Sequence, residues 1–103
     1  MAHHYVYRIT NKAKNKHYYG VRSSSNQPKE DLGLLYFSSS SDEKFIEDQK
    51  TNPDNYKYKV IKEYSSREEA TKKEIKLHAK FNVGSNTYFY NKANQTSVGF
   101  DTS

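Results

Sequence analysis

Cysteine and tryptophan are absent from the 103-residue sequence, which has two prolines, four glycines and one methionine. Without cysteine the chain can form neither a disulfide nor a cysteine-ligated zinc site, and this agrees with a reducing compartment. Long apolar runs are also absent, so the sequence predicts no membrane-spanning helix, and its first residues lack the apolar core of a signal peptide. We therefore expect a cytoplasmic protein without a membrane partner.

Arginine and aliphatic side chains are scarce, whereas tyrosine is abundant. Arg8, Arg22 and Arg67 are the only arginines, so lysine supplies most of the basic side chains behind the net charge of +5. Hydrophobic residues make up 33% of the chain, but ten tyrosines and five phenylalanines are among them, and each ring can bury a large apolar area. The length fits one folded domain. A basic, tyrosine-rich domain is compatible with a polyanionic partner such as nucleic acid.

Residues 5–22 are predicted to form a β-hairpin. The two strands flank residues 11–16, a polar stretch without an apolar period that suits a hairpin loop. By alternation, one face of this hairpin carries phenols, a glycine and a guanidinium: Tyr5, Tyr7, Tyr18, Gly20 and Arg22. Because glycine weakens a strand, its presence there indicates a bulge or the close approach of another group. This face is a candidate phosphate-handling surface.

A third strand and two helices are predicted further along the chain. Alternation over residues 56–64 predicts the strand, with four side chains on one core-facing side: Tyr56, Tyr58, Val60 and Tyr64. Two capping boxes, Ser40 with Glu43 and Ser66 with Glu69, open helices over residues 42–50 and 67–81. We expect an α/β (α+β) domain in which a small, three-stranded, mainly antiparallel sheet is flanked by helices.

The second helix contains a carboxylate on its apolar side. Ala70, Leu77 and Phe81 fall on one side of the helix and define the predicted buried stripe, and Glu74 falls within that stripe. A buried carboxylate is costly unless it is paired, protonated or bound to a metal. Glu74 is therefore either a structural residue satisfied by a lysine or a tyrosine hydroxyl, or a functional residue.

Several motifs together resemble the GIY-YIG nuclease superfamily. Tyr5-Val6-Tyr7 and Tyr18-Tyr19-Gly20 are similar to its two name-giving motifs, with ten residues between them and Tyr5 in place of the first glycine. Glu74 stands where the family has its metal-binding glutamate, and Asn91 where it has a late asparagine. The resemblance assigns residues 1–92 to a nuclease domain and residues 93–103 to a polar tail or the start of a linker.

Within that superfamily the YYGVRSS and YFSSSSD stretches are most similar to phage-encoded homing endonucleases. This implies a DNA endonuclease that acts in a bacterial or phage-infected cell. The chain would be either the catalytic domain of a longer protein with a separate, tethered DNA-binding module or a minimal nuclease with weak specificity. Glu74 would bind Mg²⁺, with Mn²⁺ as a possible substitute, and Arg22 would clamp the scissile phosphate. Tyr7 or Tyr18 would orient or deprotonate a water, and Asn91 would fix the glutamate or a tyrosine.

Two residues depart from the family pattern. The family usually has an arginine about two helical turns after the second motif and often a histidine four residues later, whereas Pro28 and Leu32 occupy that region here. Arg22 is the expected substitute for the arginine because it shares a face with the second-motif tyrosine. His78, one turn after the predicted metal ligand, or else His17, is the expected substitute for the histidine.

Remaining polar residues are predicted to be solvated or to contact DNA. Four positions of the hairpin are candidates for sequence-independent contacts with phosphates: Lys12, Lys14, Lys16 and Gly20. His3 and His4 are expected to be a tag remnant or part of a solvated tail. Two alternatives to the nuclease remain open. One is a catalytically silent nucleic-acid-binding module with the same fold, which the missing arginine favours. The other is a regulatory protein that binds a protein partner through a tyrosine-rich surface.

Overall fold

A three-stranded antiparallel sheet forms the centre of the domain, as predicted. The computed structural model describes residues 2–37, 43–83, 88–90, 94–96 and 99–101, the last two stretches through their backbone alone. The sheet consists of β1 (His3–Asn11), β2 (Lys16–Ser24) and β3 (Tyr56–Tyr64). Their order is β2-β1-β3 and both pairings are antiparallel. Strand β1 is therefore central, and β2 is an outer strand of this sheet.

Helices pack on both faces of the sheet. They are α1 (Pro28–Asp31), α2 (Glu43–Thr51) and α3 (Arg67–Phe81), with a 3-10 turn at Pro53–Asn55. The Oγ of Ser66 accepts a hydrogen bond from the Glu69 N–H at 3.2 Å, so the predicted start of α3 is confirmed. Ser40, the cap predicted for the first helix, lies outside the described residues. None of the described helices has the length and apolar character needed to cross a bilayer.

The hairpin extends beyond its predicted ends because its terminal side chains find partners. The ring of His3 lies 2.8 Å from a carboxylate oxygen of Glu63, and that of His4 lies 2.8 Å from Ser23 Oγ. The prediction that His3 and His4 form a solvated tail is therefore wrong. At the other end, Asn11 Oδ1 accepts hydrogen bonds from two loop N–H groups, which closes the predicted turn locally.

A register shift moves Tyr64 away from its predicted position. Tyr7 pairs with Val60, but its neighbour Val6 pairs with Lys62, so β3 has one extra residue at this point. An extra residue in one strand reverses the alternation beyond it. Tyr64 consequently packs with Val6 on the opposite face from Tyr56. The prediction that these two tyrosines share a face is wrong.

The two faces of the sheet carry two separate cores. We call one the tyrosine face, where β1 and β2 pack against α2 and against the segment around α1. The buried core residues of this face are Tyr5, Tyr7, Ile9, Tyr18, Leu32, Phe45 and Tyr56. We call the other the α3 face, where Val6 and Val21 pack against Ala70. Because successive strand residues point to opposite faces, Val6 and Tyr7 belong to different cores.

The buried side of α3 is rotated slightly from its predicted position. Ala70, Glu74 and His78 are buried, and Leu77 is half-buried. Phe81 was predicted to belong to this buried stripe, but 36% of its surface is exposed. It is the last residue of the helix, and its ring packs at the margin of the sheet, 5.7 Å from the ring of Tyr19 and 5.9 Å from that of Phe89. The prediction that Glu74 is buried is confirmed.

In the C-terminal part of the chain, two short strands form an antiparallel pair. They are β4 (Asn94–Thr96) and β5 (Gly99–Asp101), and β4 lies beside α3. Both belong to the segment predicted as a polar tail or linker. This segment therefore contains regular backbone structure that its polar composition did not indicate.

Candidate functional site at an outer strand

The two motif tyrosines lie side by side above Gly20. The rings of Tyr7 and Tyr18 are stacked with their centroids 6.1 Å apart. A Cβ atom at Gly20 would lie 2.5 Å from Cζ of Tyr7 and 3.0 Å from the ring of Tyr18, closer than real contacts allow. The sequence correctly indicated a close approach at this glycine. The approaching group in the structure is the Tyr7 ring of the same chain.

Tyr36 covers the hydroxyl of Tyr7. The two hydroxyl oxygens are 3.1 Å apart, and the rings meet edge to face at 5.7 Å. Tyr7 itself is fully buried. The Tyr36 ring also lies 4.2 Å from the Arg22 guanidinium carbon, a cation–π contact. Tyr36 was not identified from the sequence, because only the folding of residues 32–37 back onto the sheet brings it here.

Arg22 lies on the tyrosine face, as predicted, and is held by a buried carboxylate. Its Nε–H donates to Oδ2 of Asp31 at 3.1 Å, and the same oxygen accepts the Tyr5 hydroxyl at 2.7 Å. Asp31 has no exposed surface, whereas 34% of the Arg22 side chain is exposed. Since the bond uses Nε, the two terminal nitrogens have no hydrogen-bond partner within the described residues and can take two oxygens of a phosphate.

The protonation of this group follows from the contacts. Burial raises the pKa of Tyr5 well above its usual value, and the hydrogen bond to Asp31 raises it further, so the phenol stays protonated. Burial alone would lower the pKa of Arg22, but the hydrogen bond and charge of Asp31 outweigh it and the pKa rises. Asp31 was missed by the sequence analysis. Its only signal there was an acidic residue directly before the apolar segment that begins at Leu32.

Glu74 and His78 lie on the α3 face, across the sheet from Tyr7 and Tyr18. Helix α3 packs against Val6 and Val21, whose side chains alternate with those of the tyrosine face. The structure therefore unites Tyr7, Tyr18 and Arg22, and separately unites Glu74 and His78. It does not place all five side chains in one cleft.

The Glu74 carboxylate is buried beside the ring of a histidine. Nε2 of His78 lies 3.7 Å from it, and burial raises the pKa of Glu74 to about 7 although the charge of Arg67 acts in the opposite direction. Burial also lowers the pKa of His78, so this histidine is neutral near pH 7. Within the described residues, neither a lysine nor a tyrosine hydroxyl satisfies Glu74. The alternative that Glu74 is a structural residue satisfied by such a group therefore finds no partner among these residues.

Hydrogen bonds to the backbone of β2 place His78, the partner of Glu74, at the outer edge of this strand. The His17 N–H donates to the Tyr88 carbonyl and its own carbonyl accepts from the Tyr90 N–H, both at 2.7 Å, so His17 faces outward from the sheet. By strand alternation Tyr19 faces the same way, and its carbonyl accepts from Nε2 of His78 at 3.2 Å. The pair thus lies beside the strand that carries Arg22 on its other face.

The donor set around Glu74 suits a cation that needs few protein ligands. Among the described residues no group of three or more histidine, aspartate or glutamate side chains could hold a metal ion. Mg²⁺ usually binds one or two carboxylates and completes its octahedron with water and substrate phosphates. A single carboxylate without a lysine or arginine ion pair fits that pattern. Glu74 can therefore be the protein ligand, while the neutral imidazole of His78 is a poor one for this ion.

The remaining candidates occupy the hairpin or lie elsewhere. Lys12 and Lys14 are exposed in the loop between β1 and β2, and Lys16 Nζ lies 4.6 Å above the Tyr90 ring. Nδ1 of His17 lies 2.9 Å from Thr10 Oγ1. Burial lowers the pKa of His17, and the charge of Arg8 lowers it further. Asn91, predicted to position the glutamate or a tyrosine, lies outside the described residues.

No protein-family model matches the chain, and comparisons with curated proteins and with solved structures likewise give no match. The resemblance to the GIY-YIG nucleases consequently rests on the motif residues alone.

Proposed function

We propose that this domain is a metal-dependent DNA endonuclease that hydrolyses phosphodiester bonds at the outer edge of β2. The observation that carries the proposal is the placement of Arg22 and Glu74 on two sides of this one strand. A half-exposed guanidinium and a buried carboxylate without a strong ion pair are the two groups that phosphate and a divalent ion require. The enzyme would act on cytoplasmic DNA in a bacterial or phage-infected cell, directed by a separate, tethered DNA-binding module.

Each residue of the proposed site has a distinct task. Arg22 binds two phosphate oxygens with its terminal nitrogens and neutralises the charge that develops on them. Glu74 would hold Mg²⁺, which supplies Lewis acidity and a more acidic bound water when present. His78, neutral and directed at the Tyr19 carbonyl, leaves the negative charge of Glu74 for the cation. Tyr18, whose ring stacks on that of Tyr7 from the neighbouring strand, is the tyrosine of β2 that shares a face with Arg22 and would orient water.

Nicking of supercoiled plasmid tests this function directly. The full chain is incubated with Mg²⁺, Mn²⁺ or EDTA, and Glu74→Ala is compared with Glu47→Ala, a control that removes an exposed carboxylate. We expect metal-dependent nicking that is lost in Glu74→Ala and retained in the control. Equal nicking by both variants would remove Glu74 from the site. Because the targeting module is separate, the substrate is also tethered to the domain so that its effective concentration is high.

Metal binding by Glu74 has a readout that does not depend on activity. Its pKa of about 7 means that much of the carboxyl is protonated at pH 6.5, so a bound divalent ion must displace that proton. We expect Mg²⁺ or Mn²⁺ to release protons in a weakly buffered solution of the chain. Glu74→Gln, which cannot release this proton, should abolish the release. Unchanged proton release in Glu74→Gln would contradict the assigned ligand.

A specific observation favours a second candidate, a catalytically silent nucleic-acid-binding module. Tyr7 is fully buried, its hydroxyl is bonded to Tyr36, and the sheet separates it from Glu74. A phenol in this position cannot reach a substrate unless Tyr36 moves. The silent module predicts that the tethered duplex remains intact in Mg²⁺ and Mn²⁺ while DNA binding persists. That pair of results would replace the nuclease with the binding module.

A further inference from the structure

A cavity of about 350 Å³ opens near the hairpin loop, at the opposite end of β2 from Arg22. Its wall residues come from the loop, α2, β3 and the segment beside β2: Lys14, Lys44, Phe45, Asp48, Tyr56 and Tyr90. Three rings form its floor. Phe45 and Tyr90 are stacked with centroids 4.1 Å apart, and the Tyr56 ring is 6.1 Å from that of Phe45. The Tyr90 hydroxyl accepts from Asn11 at 2.9 Å, which fixes the position of its ring.

Cations surround this aromatic floor. Lys14 extends from the hairpin loop and Lys44 from the first turn of α2, and both are exposed. The ammonium of Lys16 lies 4.6 Å above the Tyr90 ring. Among the described wall residues the one anion is Asp48, which accepts hydrogen bonds from the Tyr56 hydroxyl and from Asn52. Those hydrogen bonds lower the pKa of Asp48, so it stays ionised and is already held by donors of the chain.

We propose that this cavity is a nucleotide-binding site. The base would lie on the aromatic floor, and the phosphate would lie between Lys14 and Lys44 at the rim. Stacking of a base on an aromatic side chain contributes about 1–3 kcal/mol, and lysine ammonium groups bind phosphate oxygens through charge-assisted hydrogen bonds. Asp48 orients the ligand, because its carboxylate repels a phosphate from the inner wall and accepts N–H groups of a base. The cavity volume lies within the usual range for small-ligand pockets.

This site is independent of phosphodiester cleavage, because it shares no residue with the Arg22 and Glu74 groups. The nucleotide could be free or could belong to a DNA strand that also reaches Arg22. Lys16 and Arg22 are six positions apart along strand β2, a span of about 20 Å. A strand with B-form rise covers that span in about six nucleotides. The two sources predict different responses to a free nucleotide and to an oligonucleotide.

Amide NMR of the full chain tests the proposal. Three probes are titrated separately: 2′-deoxyadenosine 5′-monophosphate, inorganic phosphate, and an oligodeoxyadenylate strand. The Lys14→Ala, Lys44→Ala double variant is compared with Lys72→Ala, Lys73→Ala, which removes the same charge from α3. We expect saturable shifts at Phe45, Tyr56 and Tyr90 with the nucleotide probes. The cavity variant should bind them about tenfold or more weakly, and the α3 variant should bind them as the parent chain does.

The results of these titrations distinguish a free nucleotide from a DNA strand as the ligand, and they show when the proposed site is wrong. Saturation by the mononucleotide supports a site for free nucleotides, and saturation by the oligonucleotide alone supports a site for a DNA strand. Inorganic phosphate that binds as tightly as the mononucleotide would overturn the role of the aromatic floor. Shifts outside the cavity, or equal weakening in both double variants, would overturn the site. Since all of these readouts measure binding, they stand whether or not the chain nicks plasmid.

Discussion

Arg22 donates its Nε–H to a carboxylate that has no exposed surface, Oδ2 of Asp31, over 3.1 Å. The Tyr5 hydroxyl donates to the same oxygen from the central strand. One buried acceptor thus joins β2, β1 and the end of α1. The other oxygen, Oδ1, is buried and has no hydrogen-bond partner among the described residues, so the charge of Asp31 is compensated mainly from one side. A buried carboxylate of this kind is strongly destabilising when its arginine partner is removed.

Replacing Asp31 should therefore destabilise the fold. In Asp31→Ala the Tyr5 hydroxyl and the Arg22 Nε–H lose their acceptor, and one of them is deeply buried. We expect the free energy of unfolding to fall by about 2–4 kcal/mol, since removing one partner of a buried polar network leaves the others unsatisfied. Urea unfolding measures this loss. Glu30→Ala, which removes the exposed neighbouring carboxylate, should change it by no more than about 0.5 kcal/mol. Similar losses in both variants would contradict the role of Asp31.

The buried carboxyl of Glu74 should make stability fall as pH rises. Its pKa is about 7 in the fold against 4.5 when exposed, so the folded chain holds this proton more tightly than the unfolded chain. The associated stability is fully present below pH 4.5 and is lost as the pH rises to about 7. The difference between the two pKa values corresponds to about 3 kcal/mol.

Glu74→Gln isolates this contribution. Glutamine keeps the shape of the protonated carboxyl and does not ionise, so the variant should be more stable than the parent chain at pH 8 and equal to it near pH 4. The comparison is made as a difference between the two chains, because burial lowers the pKa of His78 and this histidine affects both stability curves. Chemical unfolding at several pH values measures the difference. Two parallel stability curves would contradict the raised pKa of Glu74.

Gly20 should not tolerate a side chain. A Cβ at this position would meet Cζ of Tyr7 at 2.5 Å, and Tyr7 is fully buried and bonded to Tyr36. The ring cannot move without disturbing its neighbours, so Gly20→Ala should lower the free energy of unfolding by about 1–3 kcal/mol, as overpacked cores do. Thermal or urea unfolding measures this. Lys12→Ala, at an exposed position of the loop that precedes this strand, serves as the control and should be nearly neutral. A stabilised Gly20→Ala would contradict the observed packing.

Local sequence signals predicted those parts of the fold that depend on local geometry. Alternation indicated that Tyr7 and Tyr18 share the face of Arg22, because strand periodicity needs no tertiary information. The helical period indicated that Glu74 is buried, and the Ser66 capping box located the start of α3. Tyr64 was misplaced because a single extra residue in β3 reverses the alternation, and no residue type in that strand marks the shift.

The parts that were missed depend on contacts between segments distant in sequence. Asp31 and Tyr36 reach Arg22 only because the segment after β2 folds back over the sheet, and its composition resembles an ordinary loop. Periodicity also shows that Glu74 faces a core without showing which face of the sheet α3 covers. The motifs therefore pointed to Arg22 and Glu74 as candidate residues, whereas their location on two different faces of the sheet required the three-dimensional fold.

Arg22 should contribute to DNA binding through its charge and to cleavage through its shape. In Arg22→Ala one phosphate contact is lost, so the slope of log K against log salt should become shallower by about 1. Arg22→Lys keeps the charge and should leave this slope unchanged, but an ammonium cannot reproduce the two parallel hydrogen bonds of a guanidinium. We therefore expect plasmid nicking to fall in both variants. Fluorescence anisotropy with a duplex at several salt concentrations measures the slope.

The control for these measurements is Lys72→Ala on the outer side of α3. Lys72 is exposed and lies 3.8 Å from Glu68, so its removal changes the net charge as Arg22→Ala does without touching β2. If Lys72→Ala and Arg22→Ala lower nicking and the salt slope equally, Arg22 acts only through net charge. If Arg22→Lys nicks as well as the parent chain, the guanidinium is not a two-oxygen clamp. Reduced nicking in Arg22→Lys with an unchanged slope would instead show that cleavage depends on the geometry of the guanidinium–phosphate contact. Charge attraction would not explain that result, because the charge is the same in both chains.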